Sequence, residues 1–226
     1  MSTLIELRDV SERGEDGRMV FDGVSLELRG GERVFLTAPP GSGKGLLLRW
    51  MAGISMPEKG TVCVFGKDTA RLSAGVLNAM RCRMGLLVLN NVLISNLKVI
   101  ENCALPLLYH TEMPYKEAME KAGGLLSRSG FTGDPWELPG PLPMYVKKQV
   151  AIARALALDP EVVICENMGE GLTEADKEHL FGLLLGWHGG APSRLLLATS
   201  AEAADAALIN PGRRLRIAGA GIAEAH

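Results

Sequence analysis

An apolar run at 33–38 leads directly into Pro39, Pro40, Gly41, Ser42, Gly43, Lys44 and Gly45, and then into helix-forming residues at 46–54. This order of strand, glycine loop and helix constrains the fold more than any other feature. A run with apolar residues at successive positions suits a central parallel strand covered on both faces. A helix that leaves such a strand through small residues directs its first backbone N–H groups, and the positive end of its dipole, at an anion. The phosphate-cradling pattern G-x-x-x-x-G-K-[ST] works in this way, its lysine reaching the outer phosphates and its hydroxyl holding Mg²⁺. Here the eight positions run from Ala38 to Gly45, so the inner glycines and lysine are kept while both ends are altered. A glycine turn with an exposed lysine is the competing reading of the loop alone.

The rest of the chain alternates strands and helices. Residues 3–7 and 24–28 alternate apolar with polar side chains, the pattern of an antiparallel sheet wetted on one face. Further strands are expected at 61–65, 84–89, 161–165 and 194–199, with helices at 98–109, 114–129, 146–158 and 174–188. A stretch rich in Pro and Gly at 135–143 closes a helical insertion. Alternation of this kind predicts an α/β fold with a mostly parallel sheet.

Composition excludes several classes. The 24 basic and 26 acidic side chains leave a net charge of −2, which provides no general attraction to nucleic acid. Charged residues at the N-terminus do not make a signal peptide, and no run reaches the ~18 apolar residues of a membrane span. Cys63, Cys82, Cys103 and Cys165 form no C-x-x-C pair, which fits a reducing cytoplasm and core packing. His110, His179 and His188 lack metal-ligand spacing.

Residues 151–160, Ala-Ile-Ala-Arg-Ala-Leu-Ala-Leu-Asp-Pro, followed by the strand at 161–165, resemble the segment between the signature and Walker B motifs of ATP-binding cassette (ABC) ATPases. The segment at 101–108 resembles the helical subdomain of ABC ATPases that serve lipoprotein release, macrolide export, cell division and outer-membrane lipid trafficking. The resemblance covers nearly the whole chain. It implies a P-loop core with a mostly parallel sheet, an N-terminal antiparallel β subdomain and an inserted helical subdomain. One nucleotide-binding domain would span 1–226, with the core and β subdomain at 1–89 and 147–226 and the helical subdomain at 90–146. It also implies ATP as ligand, and as partners membrane permease subunits and a second cassette in a homo- or heterodimer. The place would be cytoplasmic, peripheral to the inner face of the cytoplasmic membrane. By analogy, the apolar stretch at 93–108 lies where such subdomains dock a permease helix.

Several positions depart from the family pattern. Glu166 stands for the Walker B aspartate, Asn167 for the glutamate that polarises water, Gly45 for the Mg²⁺-binding hydroxyl and Ser200 for the switch histidine. The Q-loop position falls on Leu89, or on Asn90 if the register slips by one, and the D-loop aspartate on Thr173. The signature, which in the family closes over the partner's nucleotide, reads Leu142, Pro143, Met144, Tyr145 and Val146. An amide cannot take a proton as a carboxylate does, and loss of such a base costs ~10²–10⁴-fold in rate. The resemblance with these departures implies a pseudo-ATPase of a lipid or lipoprotein transport complex: the loop 39–45 retains phosphate binding, Glu166 alone supports a cation, and Mg²⁺ is poorly held. Two other readings stand beside it: a residually active ATPase, and a soluble regulator using the fold as a partner platform.

Overall fold

The strands sort into two sheets according to how their side chains are patterned, in a computed structural model that describes residues 1–87 and 93–225. The first sheet is antiparallel. It contains β1 (Thr3–Arg13), β2 (Met19–Arg29), β4 (Lys59–Val64) and the short β5 (Lys67–Asp68), in the order β2-β1-β4-β5. The run at 61–65 therefore joins the N-terminal strands rather than the central sheet, with Leu7 opposite Val62 and Ile5 opposite Val64. One face of this sheet buries Ile5, Leu7, Val10, Phe21 and Leu28, while its charged residues meet water.

The second sheet has the order β10-β9-β3-β8-β7-β6. Here β3 (Arg33–Thr37), β6 (Met84–Leu87), β7 (Val162–Glu166), β8 (Leu195–Ser200) and β9 (Arg213–Ala218) run parallel, and β10 (Gly221–Glu224) closes the edge antiparallel to β9. All of β8 is buried, as uninterrupted apolar strands in parallel sheets must be. Of the strand expected at 84–89, the last two residues lie outside the described residues.

Helix α1 (Lys44–Met51) fills the space between the sheets, where Trp50 is fully buried with its ring 5.4 Å from that of Phe21. Helix α2 (Ala74–Arg81) precedes β6. Helices α3 (Val99–His110), α4 (Tyr115–Arg128) and α5 (Met144–Ala155) pack together through Cys103, Leu107, Ala118, Ala122, Leu126 and Val150. Most apolar side chains at 93–108, the stretch that suggested a docking surface, turn inward: Leu93, Val99, Ile100, Cys103, Ala104 and Leu107 are all buried, and Ile94 is the large apolar residue of that stretch left exposed, with Tyr109 exposed just beyond it.

Helix α5 begins two residues before the expected start, so its first turn carries Met144, Tyr145 and Val146. It stops at Ala155, three residues before the expected end, and Asp159, just before Pro160, adopts φ 52°. Helix α6 (Glu174–Gly189) follows β7 and precedes β8. The cysteines are free, and burial pushes the thiols of Cys103 and Cys165 up to about 12, which keeps them unreactive packing groups. Among the described residues no helix is long and apolar enough to cross a membrane.

Candidate nucleotide-phosphate site

The loop between β3 and α1 is shaped by two left-handed glycines, Gly41 at φ 75° and Gly43 at φ 83°. At Gly43 the requirement is doubled, since a Cβ there would lie 2.4 Å from Val20 Cγ1 and 2.9 Å from Phe21 Cε2 on β2. The antiparallel sheet thus presses against the loop and fixes where α1 starts. Gly43 occupies the N-cap with no side-chain cap, so the first N–H groups of α1 face outward for another acceptor. Within the loop, Ser42 Oγ is buried with no hydrogen-bond partner. An anion with several acceptor oxygens fits this cradle.

Lys44, the first residue of α1, extends to the end of β7. Its Nζ donates to Asn167 Oδ1 at 2.6 Å and lies 3.7 Å from Glu166 Oε1. Asn167 reaches this place because its backbone is left-handed, at φ 48°, a conformation that asparagine tolerates better than most residues. Its N–H donates to the Thr199 carbonyl at 2.9 Å, which ties the turn to β8. Glu166 also faces the missing hydroxyl: its Oε1 is the nearest heavy atom, at 4.0 Å, to the place where Gly45 would carry a Cβ. Among the described residues no group of three or more His, Cys, Asp or Glu side chains is placed to hold a metal ion.

Lys44 and Asn167 open into a cavity of about 350 Å³ whose far wall includes Lys177, Ser200, Glu202 and Asp205. Ser200, at the switch position, is engaged: its Oγ donates to Asp205 Oδ2 at 2.6 Å and accepts from the Glu202 N–H at 3.1 Å. Asp205 Oδ1 accepts from Lys177 Nζ at 3.1 Å, and Lys177 also meets Glu174 at 3.0 Å and Glu202 at 3.7 Å. Hydrogen bonding to Glu174, then to Asp205, holds the Lys177 ammonium well above its ordinary range. This network was not visible in the sequence, because its members lie on three separate elements.

A second residue escaped the sequence reading. Lys148, on α5, is buried at 6% exposure and donates from Nζ to the carbonyls of Met168 and Glu170, both at 2.8 Å, and of Asn167 at 3.3 Å. Burial pulls its ammonium below the ordinary lysine value. It therefore pins the loop that presents Asn167. Flanked by Lys147 and Gln149, Lys148 reads in the sequence as part of a polar face, so no local signal marked it as buried.

The signature-position residues lie apart from this cavity, and none of them lines it. Pro143 stands at the N-cap of α5 without a side-chain cap, and Met144 is exposed. Tyr145 hydroxyl is bonded to His179 Nδ1 on α6, and Leu142 packs against the helical core. Thr173 caps α6, its Oγ1 accepting from the Asp176 N–H at 3.2 Å and donating to Asp176 Oδ2 at 2.8 Å. Leu89 and Asn90 lie outside the described residues.

The family model described as ABC transporter matches residues 21–168. The chain is 28% identical over 199 residues to the probable ribonucleotide transport ATP-binding protein mkl of Mycobacterium leprae, covering 88% of this chain and 57% of that one. It is 31% identical over 164 residues to the intermembrane phospholipid transport system ATP-binding protein MlaF of Haemophilus influenzae, covering 73% and 62%. The chain thus spans little more than half the length of these curated relatives. Among solved structures, the ATP-binding cassette MJ0796, a dimer in a post-hydrolysis state bound to ADP and Pi, superposes with a TM-score of 0.87 at 23% identity over 98% of each chain, a likeness of fold.

Proposed function

Because this chain belongs to the ABC transporter family, we propose that it is a nucleotide-binding subunit of a membrane transport complex whose hydrolysis is lost or strongly impaired and whose role is structural or regulatory. The observation that carries this reading is the 2.6 Å bond from Lys44 Nζ to Asn167 Oδ1: the group beside the phosphate-loop lysine is an amide, where a general base would have to be a carboxylate. The loop at 39–45 still offers backbone N–H groups, a lysine and an unpartnered serine hydroxyl to phosphate oxygens. Mg²⁺ has lost the hydroxyl at Gly45, and the acid beside Lys44 and Gly45 is Glu166, longer by a methylene than aspartate. Pro143 and Tyr145 at the signature positions leave no small-residue helix start to close on a partner's nucleotide.

The proposed unit is one cassette, with core and β subdomain at 1–89 and 147–226 and helical subdomain at 90–146. It pairs with itself or a second cassette beneath permease subunits, peripheral to the inner face of the cytoplasmic membrane. The phospholipid transport role in the name of the Haemophilus relative supports a lipid-related or lipoprotein-related system. The test is titration of the purified protein with a fluorescent ATP analogue, with and without Mg²⁺, alongside phosphate release. Expected are binding that Mg²⁺ barely improves and Lys44→Ala weakens, and turnover at background. A second reading, a working ATPase, draws on the Glu166 carboxylate 3.7 Å from Lys44 Nζ. Turnover above background that vanishes in Lys44→Ala establishes that reading and overturns the first.

A further inference from the structure

A second cavity, of about 550 Å³, lies between α4, the C-terminal half of α5 and α6, and shares no lining residue with the Lys44 site. Its floor is apolar, made by Leu125, Ile152, Leu156 and Leu183. The space exists because α6 carries Gly182 and Gly186 one turn apart on this wall; a Cβ built at either meets nothing within 4 Å.

The polar lining is unbalanced. Lys121 and Arg128 share one face of α4, seven residues apart, and neither has an ion-pair partner among the described residues. The carboxylate in the wall, Asp159, is already bonded to Arg194. Trp187, 8% exposed, completes the wall, and its indole Nε1 is buried with no acceptor. An occupant must therefore bring negative charge to α4 and an apolar body for the leucines.

We propose that this cavity binds a small amphipathic carboxylate, its anionic group facing Lys121 and Arg128 and its apolar body lying over Leu183 and Trp187. Such a ligand would join the helical subdomain to α6 of the core.

Decanoate, below its micellar range, and the uncharged decanol are the probes, titrated calorimetrically into the full chain while the indole N–H resonance of Trp187 is followed by NMR. The expected result is saturable one-site decanoate binding that moves that resonance, with decanol weaker by roughly tenfold or more, the loss of a charge-assisted contact. The Lys121→Glu/Arg128→Glu variant, altered at exposed positions, should lose the same factor. Gly186→Leu should abolish binding by filling the cavity while the protein stays folded. Non-saturable uptake, equal affinity for decanol, or undiminished binding in the charge-reversed variant overturns the proposal. If Gly186→Leu fails to fold, the charge-reversed variant decides.

Discussion

Lys44 Nζ donates to Asn167 Oδ1 across 123 residues of sequence, at 2.6 Å, joining the start of α1 to the turn that leaves β7. An ammonium has three donors, and the amide occupies one, so Lys44 remains able to meet a phosphate. A charge-assisted bond is worth about 1.5–3 kcal/mol, so Lys44→Ala should weaken binding of a fluorescent ATP analogue by roughly 10–100-fold. Asn167→Ala removes no positive charge and should change affinity by less than about tenfold. Comparable losses in the two variants would show that Lys44 contributes little to phosphate binding directly.

Lys148 tests whether the loop after β7 needs its clamp. Lys148→Met keeps the buried stem but removes the donor shared by the carbonyls of Asn167, Met168 and Glu170. Leaving such acceptors unpaired costs about 1–3 kcal/mol, read as a lower urea midpoint. The loss should be local, with faster hydrogen exchange at 167–171 and weaker nucleotide binding, while β8 keeps its protection. Uniformly faster exchange would mean that Lys148 supports the fold generally rather than this loop.

Most of the architecture was readable because it follows from apolar runs. Strands β3, β7 and β8 are buried on both faces and announce themselves as uninterrupted hydrophobic stretches, and α3, α4 and α6 fell within a residue or two of their expected limits. Strand β9 was missed because alternate burial leaves Arg213, Arg214 and Arg216 in a six-residue segment, so charge masks its period of two. Strand β4 was seen as a strand, but its sheet was not, since pairing is set by distant partners on β1. The same limit applies to the site. The loop at 39–45 is local and was recognised, whereas the Ser200–Asp205–Lys177 network and the Lys148 clamp depend on side chains brought together from separate elements.

Two glycine substitutions should have opposite signs. Gly43→Ala forces a side chain into left-handed backbone and places its Cβ 2.4 Å from Val20 Cγ1, so the loop must shift and stability should fall by about 1–3 kcal/mol, with phosphate binding lost. Gly182→Ala, within α6, has open space for its Cβ and should gain up to about 1 kcal/mol from helix propensity. Urea denaturation measures both. A neutral Gly43→Ala would mean that β2 does not constrain the loop.

Glu27 links stability to pH on the acid side. Hydrogen bonding from Arg29 Nη2, at 2.8 Å, and then from the Thr3 hydroxyl lowers its carboxyl from 4.5 to about 2 in the folded protein. The folded state therefore favours the ionised form more than the unfolded chain does. The stabilisation is fully present above the unfolded value of 4.5 and is lost as pH falls toward about 2, because the unfolded chain takes up the proton first. Glu161, held low by Arg83 across β6 and β7, has the same sign. Both groups are exposed, so solvent screens the effect and keeps it small. Glu27→Gln should have a lower urea midpoint than the parent at pH 6, and the gap should close steadily as pH drops below 4.5. A gap that stays constant across that range would show that Glu27 acts through packing between β1 and β2 rather than through its charge.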